Sequence, residues 1–591
     1  MKMLNRRKLQ MIVAILLIAV VHLYDLSSVY SITIINDEFG YVGMGAQMAG
    51  YDWTNMLGTS PYYSYGYGII LSLLFRIGLT GVAFFRAAVV LNVIFLIGSF
   101  LITCYLADKL IDCKWNVLIA LAINLYTSNI FQCKLCWAET LLYFLSWLFI
   151  FFIYQLNEIY EMKYLVGIVI TAAYMYTVHQ RCLSVVIAAV IMVLFVLLNG
   201  HSNRTGFCKM IGAFLIFAGL LFIVSEAKQF IVANWYVAES VADKRIAIND
   251  YTGQVSKFKR ITDPKNFLTM IMGMLGKLYA QSLASGMLIL FALMAAIKTF
   301  LGKIVKTIKG KTTLKWTHEE VLMLAAALMF LGAWGIATLY KARTLSEQRY
   351  YEIVMTRYID YVTGPMLLSG FYVLVNYKEH IKNIVASLAA MAGLTILTYF
   401  QFIKSYHTLF NSVNVASVYP MLRGAVENLK VVLIAGIGVI LFSVFLIAII
   451  YVGNYRKKAD IGIVIAATVM GGVFAYNGIT ETAEFIQYKQ QEVVEYVNPV
   501  IDYIEENEWT GTIYYVGTGN DSYNFLKILQ FMLPDQRIEL IEEDEIKALK
   551  KSNAKDLLIS ATKELEEFKL DEVKENRIMD TGRLCLYTLD Q

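Results

Sequence analysis

Along roughly the first 480 positions, apolar residues come in long runs separated by short polar turns. The runs lie near 11–29, 82–107, 116–132, 138–156, 164–178, 183–199, 210–233, 284–301, 320–340, 361–376, 383–402, 430–452 and 460–480. A helix rises about 1.5 Å per residue, so a run of about 20 crosses the hydrocarbon of a bilayer. The pattern predicts about 13 transmembrane helices. Ile69–Leu79 is apolar but too short to cross, and its Tyr-rich approach predicts a segment lying in the membrane interface. After about 485 the long runs stop and charge becomes dense. Thr512–Val516, Arg537–Ile541, Asp556–Ser560 and Arg583–Leu589 read as strands, with helices at Tyr523–Met532 and Glu543–Lys551. That βαβαβ rhythm predicts a small α/β domain with a mostly parallel sheet. The fold class is therefore mainly α and polytopic over 1–485, with a small C-terminal α/β domain over 486–591.

Composition agrees. Hydrophobic residues make up 58% of the chain and charged ones 16%, and the mean hydropathy is +0.57. A soluble domain carries about 25% charged residues. With 6 Pro and 7 Cys, neither disorder nor a disulfide scaffold fits. The net charge of +5 comes without a basic stripe, so no nucleic-acid partner is expected.

Charge also orients the spans. Lys2, Arg6, Arg7 and Lys8 precede the first run, and no small-residue cleavage site follows it. An uncleaved first helix with a cytoplasmic N-terminus is expected. Counting then places the loop from Lys298 to Trp316, with six lysines and no acid, inside, together with Arg456, Lys457 and Lys458. The first outer loop, 30–81, has no Lys or Arg as far as Pro61. An odd number of crossings puts the C-terminal domain outside the cytoplasm.

The chemistry concentrates in that loop. Asp37 and Glu38 sit just past the first helix. Adjacent acids repel, and one of them holds its proton more tightly. Such a pair serves as a general base or a metal ligand, or else stands as a solvated acidic loop. Tyr62, Tyr63, Tyr65 and Tyr67 alternate with Ser64, Gly66 and Gly68, which predicts a structured pocket. Cations able to hold an anion at the same end are His179 and Arg181, Arg343, Arg349 and Arg357, and Arg76 and Arg86. Glu139, opening the fourth run, is a further carboxylate placed to orient substrate or pair with Arg181, or simply to favour a helix start. Cys133 and Cys136 form a lone CxxC with no His cluster, which argues against zinc. Gly517-Thr518-Gly519 lacks the third glycine of a dinucleotide fingerprint and reads as a tight turn.

Taken together, the Asp37-Glu38 pair after an uncleaved helix, the Pro61-Tyr62 entry to an interfacial segment and Arg86 opening the second span resemble the GT-C glycosyltransferases. Within that superfamily the likeness is to protein O-mannosyltransferases, lipid A aminoarabinose transferases and related bacterial polyprenyl-phosphate-sugar enzymes. It is tightest over residues 1–110. The resemblance implies an inverting transfer of a sugar from a polyprenyl-phosphate carrier to an acceptor hydroxyl on a protein, lipid or wall polymer, in a plasma membrane. It implies Asp37 as general base with Glu38 as its partner. It also implies a donor site drawn from His179, Arg181, Arg349, Arg357, Arg86, Glu139 and Tyr65. A divalent metal at Asp37 and Glu38 stays open. So do a transporter or flippase, a polysaccharide polymerase or ligase, and a catalytically silent scaffold.

Overall fold

The computed structural model describes residues 2–33, 36–58, 62–236, 262, 264–309, 315–341, 350–404, 412–516, 520–541, 556–561 and 576–589. Helix α1 (Lys2–Leu23) ends where His22 and Asp25 interrupt the apolar run, and Asp25 turns the chain in the left-handed region (φ 56). On its outer face Leu9, Ile12, Leu16 and Val20 are exposed. The same holds for Ile211, Leu215 and Phe222 on Arg204–Trp235 and for Ile434, Ile437 and Leu441 on Lys430–Tyr455. So broad a belt of exposed aliphatic and aromatic side chains belongs against lipid. The chain is a multi-pass integral membrane protein.

Helices α2 (Asn36–Ala49), α3 (Thr54–Gly58) and α4 (Gly66–Arg76) form the first loop, and α5 (Gly81–Leu110) follows as the second span. Next come α6 (Asn116–Asn124), α7 (Thr127–Cys133), α8 (Glu139–Glu158), α9 (Met162–Val178) and α10 (Leu183–Leu198). Among the described residues ten helices are long and apolar enough to cross, or eleven if Tyr351–Asp360 and Thr363–Val375, bent by 90°, count as one. The expectation of about 13 exceeds this for two reasons. Run 164–178 folds as α9, only 17 residues long. Run 116–132 breaks at Tyr126, whose backbone is extended (ψ 133) between α6 and α7. The two pieces nevertheless lie along the last span, Ala459–Tyr496. A Cβ on Gly471 would stand 3.2 Å from Ala122, and one on Gly478 would stand 2.8 Å from Ile130. The broken run and the last span therefore advance in the same direction.

Polar contacts mark the two ends of the bundle. At one end Arg7 pairs with Asp108, Lys109 with Glu158 (3.5 Å), and Lys303 with Glu320, while Asn157 meets His318 (2.7 Å). The first loop and the C-terminal sheet occupy the other end. Gln490, on the last span, accepts from the Tyr30 and Ser31 amides (2.9 and 3.0 Å) and returns a bond to the Ser31 carbonyl (2.8 Å).

The C-terminal sheet has five strands in the order β2-β1-β3-β5-β4: β1 Ile513–Val516, β2 Ile538–Ile541, β3 Leu557–Ala561, β4 Arg577–Asp580 and β5 Leu584–Thr588. β1 pairs parallel with β2 and β3, but β5 pairs antiparallel with both β3 and β4. A mostly parallel sheet is thus corrected to a mixed one. The cause is a tight turn at Gly582 (φ 83) that folds β4 back onto β5, where a parallel strand would need a crossover. Helix Asn520–Met532 packs the domain onto the spans, with Phe531 edge-on to Phe84 and Phe85 at 6.0 and 6.4 Å. The expected helix Glu543–Lys551 and the Gly517–Gly519 turn lie outside the described residues.

Candidate active site

Asp37 and Glu38 occupy the first turn of α2, where the helix dipole favours acids. Glycines fix α2 in place: a Cβ on Gly45 would stand 2.9 Å from Leu71 Cβ, and one on Gly68 2.7 Å from Met44. Bulkier residues would force α2 and α4 apart. α4 in turn abuts the end of α9, where the Gly66 carbonyl accepts from Tyr174 Oη (3.0 Å). The first loop is thereby locked beside His179.

There the charged side chains converge. Arg357 Nη1 lies 2.7 Å from Asp37 Oδ2, and its Nε donates to Glu139 Oε1 at 2.8 Å. Arg181 Nη2 donates to the same Glu139 oxygen at 3.1 Å. Two guanidiniums thus share one carboxylate, and the second carboxylate takes the free arm of Arg357. The Arg357 guanidinium lies 3.7 Å from the Trp137 ring centroid, and Arg181 stands over Tyr358 and Tyr361 at 5.0 and 5.2 Å. His179 Nδ1 accepts from the Arg181 amide (3.1 Å), which leaves its proton on Nε2. The Glu139, Arg181 and Arg357 side chains are 3%, 4% and 6% exposed, whereas Asp37 is 22% exposed. Asp37 is the most exposed member of the cluster.

The cluster also holds unused capacity. Glu139 Oε2 and Arg181 Nε and Nη1 are buried with no hydrogen-bond partner. Buried polar groups are rarely left so, and two free guanidinium donors suit an anion. Tyr63 hydrogen-bonds Asp37; burial, then the neighbouring carboxylate, push its hydroxyl well above the usual range, so it donates.

Other residues singled out from the sequence stand elsewhere. Glu38 is fully buried on another face of α2, where it accepts from the Thr33 amide (2.5 Å) and hydroxyl and from the Cys136 amide (2.7 Å). Burial pushes its acid range up to about 7 against those hydrogen bonds. Arg86 donates to the Val29 and Ser27 carbonyls (3.0 and 2.7 Å), tying the second span to the end of the first. Tyr65 packs with Tyr62 and Tyr236 and reaches the Val224 carbonyl, away from the charges. Arg76 bonds the Met48 carbonyl. Arg343 and Arg349 lie outside the described residues. Cys133 and Cys136 are both free and buried. Asp37 and Glu38 face different partners, and among the described residues no three His, Cys, Asp or Glu side chains cluster as a metal site would require. Tyr63 belongs to the Tyr-rich stretch expected to form a pocket, whereas Trp137, Tyr358 and Tyr361 were not singled out, although each stands within two residues of a charged residue.

No family model and no curated protein matches the chain. Solved structures do. ArnT from Cupriavidus metallidurans in the apo state matches over 98% of both chains, at 10% identity and a TM-score of 0.50. The same protein bound to undecaprenyl phosphate matches over 98% of both, at 10% identity and a TM-score of 0.51. The chain shares the fold of ArnT. The ArnT match takes in the span bundle and the C-terminal sheet together. Arabinosyltransferase EmbB from Mycobacterium smegmatis also matches, at 12% identity and a TM-score of 0.39, over 82% of this chain and 42% of that one.

Proposed function

We propose that the chain is an inverting glycosyltransferase. It moves a sugar from a polyprenyl-phosphate carrier to an acceptor hydroxyl on the extracytoplasmic side of the membrane. The observation that carries this reading is the placement of Asp37, partly exposed, 2.7 Å from an arginine that shares Glu139 with a second arginine. A base for an acceptor hydroxyl and a cationic seat for a phosphate leaving group are thus side by side. The fold shared with ArnT, and the capture of undecaprenyl phosphate by that protein, support the carrier.

In this mechanism the donor phosphate binds the free donors of Arg181 and draws Arg357 away from Asp37. Freed of its ion pair, the Asp37 carboxylate takes the proton of the acceptor hydroxyl. The acceptor oxygen attacks the anomeric carbon, and the bond from that carbon to the phosphate oxygen breaks. The carrier phosphate leaves with the bonding pair, stabilised by Arg181 and Arg357. Because the displacement is single, the anomeric configuration inverts. Trp137 keeps Arg357 flat through its ring face.

The test is sugar transfer from radiolabelled polyprenyl-phosphate donors in proteoliposomes, with the intact chain and with Asp37→Asn. Loss of a general base costs roughly 10²–10⁴-fold. Transfer should fall by at least that lower bound while donor binding persists. Equal transfer by both proteins would end the assignment of Asp37, and no transfer from any donor would end the transferase reading.

A further inference from the structure

A second concavity lies outside the charge cluster, between the first loop and the sheet domain. It encloses about 510 Å³, within the size range of ligand sites. One wall is the corner after α2, from Gly50 to Trp53, and the other runs from Gln530 to Ile538. We propose that this cleft binds a carbohydrate chain, holding units of the acceptor distant from the hydroxyl that reacts. The inference rests on the transferase reading for its purpose, though not for its chemistry.

The lining suits hydroxyl-rich rings. Asp52 and Asp535 present carboxylates, which accept from paired hydroxyls. Arg537, on the wall that carries Asp535, supplies donors opposite Asp52. Tyr51, half-buried against Phe75 and Trp53, offers an aromatic surface with a polar tip, as the C–H face of a sugar requires. The two carboxylates disfavour a polyanion, because the Arg537 charge is already answered by Glu539.

Both walls are braced. The Trp53 amide donates to Gln47 Oε1 (2.9 Å), and its indole donates across to the Pro534 carbonyl (3.1 Å). Asp52 Oδ1 accepts from the Thr54 hydroxyl (2.8 Å). Opposite, Gln536 Nε2 donates to the Trp509 carbonyl (2.9 Å), and Gln530 Nε2 to the Leu533 and Gln536 carbonyls. Gly50 turns at φ 110, and nothing lies within 4 Å of where its Cβ would be, which keeps the corner open. Such bracing lowers the ordering cost of binding. From Asp37 to Gly50 helix α2 advances about 20 Å at about 1.5 Å per residue. An acceptor that touches both places is therefore an oligosaccharide of several units.

The experiment is saturation-transfer NMR on the full chain in nanodiscs, with maltohexaose, chitohexaose and xylohexaose as probes. At least one should bind, and Tyr51→Ala and Asp535→Asn should each weaken it at least tenfold. Asp535 is exposed, so its substitution keeps the fold even if that of Tyr51 does not. Absence of binding by all three sugars, or binding indifferent to Asp535→Asn, overturns the cleft. Hexasaccharide binding without transfer from any donor keeps the cleft and overturns the transferase reading; transfer without such binding does the reverse.

Discussion

At the scale of single residues, adjacent acids were given different surroundings by one helical step. Asp37 faces Arg357, and Glu38 faces the Thr33 and Cys136 amides. Burial raises the Glu38 acid range from 4.5 to about 7. Unfolded, the group releases its proton near 4.5; folded, it keeps the proton until about 7. The folded chain binds more protons inside that window. The stabilising contribution is thus complete at the acid end and is lost as pH rises through about 7. Thermal unfolding of the detergent-solubilised protein should move to lower temperature across the window, and Glu38→Gln, neutral throughout, should flatten the trend. An unchanged pH dependence would show that Glu38 is not its source. Arg357 makes a second test, because its Nε and Nη1 serve two different carboxylates. Lysine offers one point charge for both. Arg357→Lys should raise the donor KM at least tenfold in the proteoliposome assay, and an unaltered KM would remove Arg357 from the donor seat. Arg181 stood out in the sequence because ionisable groups at membrane depth are costly, Asp37 because it adjoins a second acid just past the first helix, and Glu139 and Arg357 because they border spans at the same end. Trp137 and Tyr361 did not, since aromatic residues make up 14% of the chain and their position in the sequence alone does not distinguish them.

At the scale of elements, close approach is bought with glycine. A Cβ on Gly66 would stand 2.6 Å from the Val178 backbone nitrogen, so α4 meets the end of α9 only without a side chain there. Overpacking of this kind costs roughly 1–3 kcal/mol. Gly66→Val should push the first loop off His179 and lower transfer at least tenfold, with a drop of only a few degrees in thermal stability. Unimpaired transfer would show that this contact does not position Asp37. The same scale explains what pattern alone missed. Apolar runs locate crossings but not the break at Tyr126, because Asn124, Thr127 and Ser128 find partners in neighbouring helices: the Asn124 amide bonds the Thr103 hydroxyl, Thr127 bonds the Phe474 carbonyl, and Ser128 bonds Asp360. Strand β4 was hidden because its burial is partial and its composition, Arg577–Asp580, is that of an exposed edge.

For the whole molecule, the open question is direction. The site and the sheet share one end, while Arg7, Lys109 and Lys303 share the other. Basic residues favour the cytoplasmic side, and Lys303 and Lys306 of the lysine-rich Lys298–Trp316 stretch lie near the end of the helix Leu288–Ile308 there. The two short runs decide the count: if the broken run α6–α7, aligned with the last span, and α9 both cross, the eleven spans among the described residues, the bent pair taken as one, become thirteen and the crossings stay odd. Cys208, exposed near the start of Arg204–Trp235, must first be replaced by Ser. In that background Glu505→Cys, on the helix Asn498–Glu506 beside the sheet, should react with a membrane-impermeant maleimide in intact cells. Arg456→Cys, in the turn before the last span, should react only after permeabilisation. Both positions are exposed, so access depends on side and not on burial. The reverse labelling, Arg456→Cys from outside and Glu505→Cys only after permeabilisation, would mean that the bundle lies in the membrane the other way round. The base at Asp37 would then face a compartment without the expected carrier. Opposite labelling places Asp37, the arginines and the cleft on the face where an exported acceptor meets its donor.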